Sequence, residues 1–228
     1  MRWISLFVVS CLLAGSVGLV SISHGNSTWR VLDLPSGGIT ESIFEEPEDP
    51  KTGGPLLPVM DPFGMVLGGD AFHLCFSAYA FSDPTTFELI REEVSRVVNQ
   101  LSSETYFSLG AYHCYSVVWQ PEAQLATPDA KECAQSWLDG MNTMGIQHAA
   151  EAAVATIERA NALDVAGQRI IMLANGVPND ACPTVAAIAG ANTNDLPIDV
   201  IYVGGGTSGA NFWQQVATQY GGQFLNVE

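Results

Sequence analysis

The chain has 228 residues, 47% of them hydrophobic, which is enough for one domain with a complete core and some chain to spare. Its 24 acidic residues against 8 Lys and Arg residues give a formal net charge of -16. A surface that acidic repels phosphate backbones and anionic lipid headgroups, so nucleic acid is not expected as a partner.

The first 23 residues predict a targeting or anchoring segment. After Arg2, the stretch from Trp3 to Ser23 contains no charged residue and is about as long as a signal peptide or one spanning helix requires. Small residues favour cleavage, but no clean Ala-x-Ala motif is present, so both fates stay open. We therefore expect a secreted, periplasmic or cell-envelope protein that touches the membrane only if this segment remains uncleaved.

Residues 24–69 are predicted to be a linker. They contain three Gly-Gly pairs, six prolines and the acidic run Glu45 to Asp49, a composition that cannot bury much surface. We expect an extended spacer with one short strand at Trp29 to Leu32. The globular domain is then predicted to span residues 70–228.

The domain is organised around a strand that leads into a helix. Residues 71–81 are almost continuously apolar, which is typical of a central strand covered on both faces. Asp83 is a good N-cap and Pro84 a good first helical residue, and apolar residues recur at helical spacing to Leu101. The loop between them should lie at the carboxyl edge of a parallel sheet, where ligands usually bind.

The rest of the domain alternates between strands and helices. Further strands are predicted at 106–114, with an extension through 116–119, and at 169–174, 198–203 and 223–227; helices are predicted at 127–141, 145–163, 183–191 and 211–220. This alternation predicts an α/β fold, an open and mainly parallel doubly wound sheet with helices on both faces.

The domain resembles a von Willebrand factor type A domain. The strongest match runs from Leu196 through Phe224, which is similar to the family's penultimate strand, last helix and final Gly-Gly turn. Asn142-Thr143 and the stretch Ile170 to Gly176 match two further family segments in the correct order. The resemblance covers residues 70–228 and implies a Rossmann-like sheet with a metal ion-dependent adhesion site at its carboxyl edge.

The residues that match this adhesion site differ from the family pattern. The motif Asp-x-Ser-x-Ser falls on Ser77-Ala78-Tyr79-Ala80-Phe81, because only this register keeps the following helix in step. The family's Thr is present as Thr143, but the Asp of its Thr-Asp-Gly is Asn175. Both acidic positions of the site are therefore neutral, so we predict a degenerate site.

Charge decides what the degenerate site can bind. Mg²⁺ is usually held through carboxylates, whereas Ser77, Thr143 and Asn175 offer only neutral oxygens. We therefore expect no metal and no other cofactor. Asp83 and Asp180 lie in the flanking loops and are candidate substitute ligands for Mg²⁺, although a helix cap and a turn residue are the simpler interpretations.

Cysteine and histidine side chains are predicted to gather near the same edge. Cys114 and Cys182 are candidates for a disulfide, which an exported protein permits. Together with His113 and His148 they offer zinc ligands in principle, but no ligand spacing supports that interpretation. His73 lies within the central strand and is better explained as a hydrogen-bonded core residue.

These observations favour a non-catalytic protein-binding or scaffold module that works without metal. A metal-dependent adhesion domain that uses substitute carboxylates is the first alternative, and an enzyme that uses Cys and His groups is the second. The glycine-rich stretch 204–209 lacks the Lys-Ser/Thr of a phosphate-binding loop. No serine lies in a Gly-x-Ser-x-Gly motif, so the sequence does not predict an enzyme.

Overall fold

The computed structural model of the chain describes residues 59–79, 84–143 and 145–228. The leader, the strand at Trp29 to Leu32 and most of the linker predicted from the sequence lie outside these ranges. The described residues all belong to one compact unit.

Strands and helices alternate along the described residues. The strands are β1 (Val59–Met60), β2 (Leu67–Gly68), β3 (Ala71–Ser77), β4 (Tyr106–Tyr112), β5 (Ser116–Val118), β6 (Gln124–Leu125), β7 (Gln168–Ala174), β8 (Ile198–Val203) and β9 (Phe224–Val227). The helices are α1 (Pro84–Gln100), α2 (Pro128–Asp139), α3 (Ala150–Ala162), α4 (Ala181–Ala191) and α5 (Thr207–Gln219).

The main sheet has the order β5-β4-β3-β7-β8-β9, and β6 pairs with β4 beside this path. Strands β3, β4, β7, β8 and β9 are parallel, whereas β5 and β6 run antiparallel to β4. The predicted open, mainly parallel sheet is therefore confirmed, with β3 at its centre. The carboxyl ends of the parallel strands meet at one edge, as such sheets require.

Helices cover both faces of the sheet because side chains on a strand alternate between its faces. Phe72, Leu74 and Phe76 of β3 lie in one core cluster with α1 and α2. Cys75 lies in the other cluster, with α3, α4 and α5. The continuous apolar run of β3 thus reflects burial on two sides, as predicted.

The domain begins earlier than residue 70. The β1-β2 hairpin carries Met60, Met65 and Leu67 into the core below α1 and α2, where they are 2%, 7% and 1% exposed. Three isolated apolar side chains among prolines and glycines give no periodic signal, so composition alone predicted a linker here.

Three predicted elements also differ from the structure. The last helix starts at Thr207 rather than at residue 211. The extension of the second strand is a separate strand, since β5 folds back on β4 through residues 113–115. The Ala-rich helix starts at Ala150 rather than Gly145, because the preceding backbone bonds elsewhere: the His148 N–H donates to the His113 carbonyl at 2.9 Å.

None of the helices within residues 59–79, 84–143 and 145–228 combines the length and the apolar character that spanning a membrane requires.

Candidate functional site

The ends of the central strands bring two of the predicted site residues together. Ser77 is the last residue of β3, and Asn175 directly follows the neighbouring parallel strand β7. Tyr79 lies between them: its N–H donates to Ser77 Oγ at 3.4 Å, and its carbonyl accepts from Asn175 Nδ2 at 3.0 Å. The predicted positions therefore do share one edge of the sheet.

The Asn175 amide connects three segments of chain. While its Nδ2 donates to Tyr79, its Oδ1 accepts from Gln147 Nε2 at 3.2 Å. The Gln147 N–H in turn donates to Asn179 Oδ1 at 2.9 Å. Because a carboxylate has no N–H, an Asp at position 175 could not donate to the Tyr79 carbonyl while accepting from Gln147, as the Asn175 amide does.

Ser77 is enclosed rather than open to a ligand. It is 0% exposed and lies beside the equally buried Tyr112 at the end of β4. Burial raises the pKa of Tyr112 well above its usual range, and the nearby Ser77 hydroxyl opposes this only in part. The Tyr112 phenol oxygen makes no hydrogen bond of normal geometry within the described residues.

A cavity of about 270 Å³ lies beside this amide bridge. Tyr79, Thr86 and Asn175 line one part of it, and Tyr202 with the glycines at 204–206 lines the other. Burial raises the pKa of Tyr202, while the Gly206 N–H lowers it by hydrogen bonding. Hydroxyl, amide and backbone groups line this cavity, and none of its lining residues in the described part of the chain carries a carboxylate or a cation.

The remaining members of the predicted site lie apart or outside the described residues. Thr143 is exposed beyond the end of α2 and makes no hydrogen bond to Ser77 or Asn175 in the described part of the chain. Phe81 and Asp83 fall outside the described residues, so the predictions for them stay predictions.

Asp180 acts as a cap for a neighbouring helix. Its Oδ1 accepts from the Ala149 N–H at 2.9 Å and its Oδ2 from the Ala150 N–H at 3.1 Å, at the start of α3. The Thr184 hydroxyl also donates to Oδ1, at 3.1 Å. Both carboxylate oxygens are therefore used to hold α3 against α4, a role that the turn-residue interpretation missed.

We expect Asp180→Ala to destabilise the domain by about 2 kcal/mol, because it leaves two helix N–H groups without their acceptor. Urea unfolding measures the loss. The exposed Asp164 has no such bonds, so Asp164→Ala should change stability little and serves as the matched control. Equal stability of the two variants would show that the Asp180 carboxylate does not cap α3.

The cysteines at this edge are free thiols in the structure, so the disulfide predicted between Cys114 and Cys182 is not formed there. Cys182 is exposed in the first turn of α4, and Cys114 is partly buried. No group of three or more His, Cys, Asp or Glu side chains within the described ranges is arranged to hold a metal ion. His113 uses Nδ1 to accept from the Tyr115 N–H at 3.3 Å, and burial lowers its pKa.

A row of buried polar groups lies beneath α3 on the central strands. His73 is 0% exposed, with Ser108 Oγ at 2.9 Å from Nδ1 and Gln168 Oε1 at 3.0 Å from Nε2. Gln168 Nε2 donates to the Leu163 carbonyl, which directs its Oε1 to the histidine. His73 Nε2–H therefore donates to Gln168, and Nδ1 accepts from Ser108. The core interpretation of His73 is consistent with this geometry.

The same row contains a buried thiol and a buried cation. Burial raises the pKa of Cys75 to about 12, although Thr156 hydrogen bonds to it and opposes the shift. Arg159 is 7% exposed, and its Nη2 donates to Thr156 Oγ1 at 3.2 Å. A thiol with so high a pKa is protonated at neutral pH, so Cys75 is not a nucleophile.

Sequence reasoning missed Tyr112, Gln147 and Tyr202 as neighbours of the site. Tyr112 and Tyr202 stand at or near the ends of β4 and β8, so the convergence of parallel strand ends was a signal that could have found them. No sequence pattern marks Gln147, which precedes a helix and reaches the site only through the fold.

Comparisons with known proteins bear on the fold. No protein-family model matches the chain, and neither does any curated protein. Among solved structures, a von Willebrand factor type A protein from Catenulispora acidiphila matches 72% of this chain with a TM-score of 0.60 at 14% identity.

Two other solved structures are similar. Proximal thread matrix protein 1 of the mussel byssus matches 75% of this chain with a TM-score of 0.54 at 14% identity. The manganese-loaded TRAP protein of Plasmodium vivax matches 71% with a TM-score of 0.50 at 16% identity. The matches span 40%, 45% and 65% of the three structures, in the order given, so this chain is similar to only part of each.

Proposed function

Because the chain has the von Willebrand factor type A fold, we propose that it is a non-catalytic protein-binding or scaffold module that works without a bound metal ion. The observation that carries this proposal is the amide bridge from Asn175 Nδ2 to the Tyr79 carbonyl. It joins the loops after β3 and β7 by a direct hydrogen bond at the place where the resemblance puts a metal ligand.

The chemistry of the edge supports metal independence. A divalent cation that dehydrates reluctantly is held mainly by carboxylates, and the two positions that should supply them are Ser77 and Asn175. The Asn175 N–H also points at a carbonyl oxygen, so the side chain presents a donor where a metal ligand must present a lone pair.

Two alternatives have less support. A metal-dependent adhesion domain would need substitute carboxylates, but both oxygens of Asp180 already accept backbone hydrogen bonds. A Cys- or His-dependent enzyme would need a reactive thiol, whereas burial keeps Cys75 protonated and the other described cysteines form no metal-ligating group with histidine.

Calorimetric titration of the purified chain with Mg²⁺ or Mn²⁺ tests this proposal. We expect no saturable binding at millimolar concentrations of either ion. A saturable site that Asp180→Ala abolishes would contradict the proposal and favour the metal-dependent alternative.

The bridge itself makes a second prediction. Asn175→Asp removes the donor and places an anionic oxygen near the Tyr79 carbonyl, so we expect a loss of about 1–3 kcal/mol in urea unfolding with EDTA present. Asn161→Asp is the matched control, because Asn161 Nδ2 likewise donates to a carbonyl, that of Ala191 at 2.8 Å, away from this edge.

Added Mg²⁺ should not stabilise either Asp variant, since one carboxylate beside neutral groups does not complete a binding site for a divalent cation. A rescue by Mg²⁺ of Asn175→Asp alone would show that the edge keeps the geometry of a metal site. An Asn175→Asp variant as stable as the wild type would contradict the bridging role of the amide.

Export of the chain is part of the same proposal and rests on the uncharged stretch from Trp3 to Ser23. N-terminal sequencing of the chain recovered outside the cytoplasm distinguishes a cleaved signal peptide from a retained anchor. Recovery of the whole chain in the cytoplasm would contradict export.

A further inference from the structure

Arg159 is the starting point, because it is a buried cation that forms no salt bridge among the described residues, although the charge of the adjacent Glu158 acts on it. The other arginines of the described residues, Arg91, Arg96 and Arg169, each contact a carboxylate at 2.7 Å. Arg159 is 7% exposed, its one side-chain hydrogen bond goes to Thr156, and its Nε has no partner within the described residues. A desolvated guanidinium of this kind favours an anionic partner.

The position of Arg159 is set by a glycine near the edge of the sheet. A Cβ atom at Gly110 of β4 would lie 3.1 Å from Arg159 Nη2 and 3.8 Å from the Val117 carbonyl oxygen of β5. The absence of a side chain at position 110 thus makes room for the guanidinium. The guanidinium lies over β4, which is next to the edge strand β5.

Among the described residues, the outer side of strand β5 pairs with no other strand. In the antiparallel β4-β5 pair, the His113 N–H donates to Tyr115 and the Trp119 N–H donates to Leu109. Hydrogen-bonded pairs alternate with non-bonded ones, so Ala111 and Val117 form the next bonded pair. The N–H and C=O groups of Ser116 and Val118 therefore point outward, away from β4.

The two faces of this edge differ in chemistry. Val118 pairs with Gly110, so its side chain lies on the face of Arg159, and it is 38% exposed. Val117 lies on the opposite face, where with His113, Tyr115, Trp137 and Met141 it lines a cavity of about 320 Å³. Tyr115 is 51% exposed at the mouth of that cavity.

From these observations we infer that β5 accepts an extended peptide of a partner protein as an added strand, with a carboxylate of the peptide paired to Arg159 and an adjacent apolar side chain in the Tyr115-Trp137 cavity. This inference rests on the proposed protein-binding function and names its surface. The outward groups of Ser116 and Val118 supply the main-chain hydrogen bonds of such a complex.

The geometry of a strand sets the peptide pattern. Successive side chains point to opposite faces, so an acidic residue on the Arg159 face is followed by an apolar residue on the cavity face. The net charge of -16 disfavours a run of acids in the partner. The expected ligand is therefore one Asp or Glu between apolar, β-forming residues.

Selection from a phage library of random nine-residue peptides on the full-length chain tests the inference. We expect the enriched peptides to share one acidic residue flanked by apolar residues. One enriched peptide, labelled with fluorescein, should bind with an affinity that weakens as salt is added, because one ion pair contributes to the complex.

Two variants, each with its own control variant, test the contacts by fluorescence anisotropy of the labelled peptide. Arg159→Met should weaken binding of the labelled peptide roughly tenfold or more, because the positive charge is lost while the apolar part of the side chain is kept. Arg91→Met removes a surface arginine from α1 and should leave binding unchanged. Val118→Pro removes one outward N–H and should weaken binding by a similar factor, whereas Val118→Thr keeps that N–H and should not. Near-ultraviolet circular dichroism of each variant verifies its fold.

Performing the selection in EDTA and in Mg²⁺ separates this inference from the proposed function. Peptides that bind in EDTA with equal affinity to the wild type, Arg159→Met and Val118→Pro would contradict binding at β5. The proposed metal-independent protein-binding function would then still hold. Peptides that bind only with Mg²⁺ would contradict the proposed metal independence. If no peptide is enriched, or if the chain pairs through β5 with a second copy of itself, the inference is wrong.

Discussion

Gly222→Ala is expected to disrupt the native domain, with a loss on the order of 4 kcal/mol or more. A Cβ atom at this position would lie 1.9 Å from the Ile198 carbonyl oxygen and 2.3 Å from its carbonyl carbon. Both are backbone atoms at the start of β8, so no side-chain rotation relieves the collision. Either β9 or the end of α5 must shift away from β8, and the sheet then loses β9 as its edge strand.

Neighbouring glycines provide graded controls for this prediction. Gly221 has a φ of +66° but open space around it, so Gly221→Ala should cost only about 1–2 kcal/mol of backbone strain. Gly205 has neither a positive φ nor a close contact, so Gly205→Ala should change stability little. Urea unfolding at equal protein concentration ranks the three variants. If Gly222→Ala is no less stable than Gly205→Ala, Gly222 does not pack closely against the backbone of β8.

His73 is expected to make the domain acid-sensitive between about pH 6.5 and pH 4. Burial lowers the pKa of His73 from 6.5 to about 4, a trend to which the nearby Arg159 charge adds and which the Gln168 hydrogen bond opposes. In this interval the unfolded chain binds a proton at position 73 that the native chain does not. Stability from this group is therefore full above pH 6.5 and is lost as the pH falls, by about 3 kcal/mol in total.

Chemical unfolding from pH 8 to pH 4 measures this dependence, and His73→Gln should make the decline below pH 6.5 shallower. The remaining slope in that variant reports other groups, such as His113, whose pKa burial also lowers. His148→Gln is the matched control, because His148 is exposed and its replacement should leave the slope unchanged. A slope in His73→Gln equal to that of the wild type would show that His73 is not the titrating group.

Ser77 at the end of β3 and Asn175 after β7 are both neutral, and this has a physical consequence for the recognition of a partner. Under the proposed metal independence, a partner is not held by a carboxylate that completes a metal coordination sphere. Affinity must come from hydrogen bonds, apolar contacts and the few cations that the domain presents. Arg159, whose Nε has no hydrogen-bond partner among the described residues, is the cation near β5 to which our inference gives that role.

Much of the fold was predictable because local patterns and global topology agree. The apolar run of β3, the Pro84 start of α1 and the Thr127 cap of α2 each specify a local structure, and the structure confirms all three. Thr127 Oγ1 accepts from the Ala130 N–H at 3.3 Å, as the cap requires. Short strands such as β1, β2 and β6 were not predictable, because two residues carry no periodicity.

The candidate site was predictable only in part. Ser77 and Asn175 were placed at one edge because parallel strands end together, and that placement agrees with the structure. The cap role of Asp180 was not predictable, since the N–H groups that donate to its carboxylate lie about 30 residues earlier in the chain. Contacts between loops of different βα units depend on the packing of the helices, which no single segment encodes.

The sequence by itself determined the fold class, the order of the main elements and the neutrality of the two positions where the family that it resembles carries acids, because composition, periodicity and residue type are local properties. Only the tertiary structure decided what those neutral groups do. It placed the Asn175 amide on the Tyr79 carbonyl, and it buried Arg159 of α3 where no salt bridge forms among the described residues. Hydrogen bonds and desolvation depend on which distant segments become neighbours, and that is fixed only when the sheet and its two helical layers pack together.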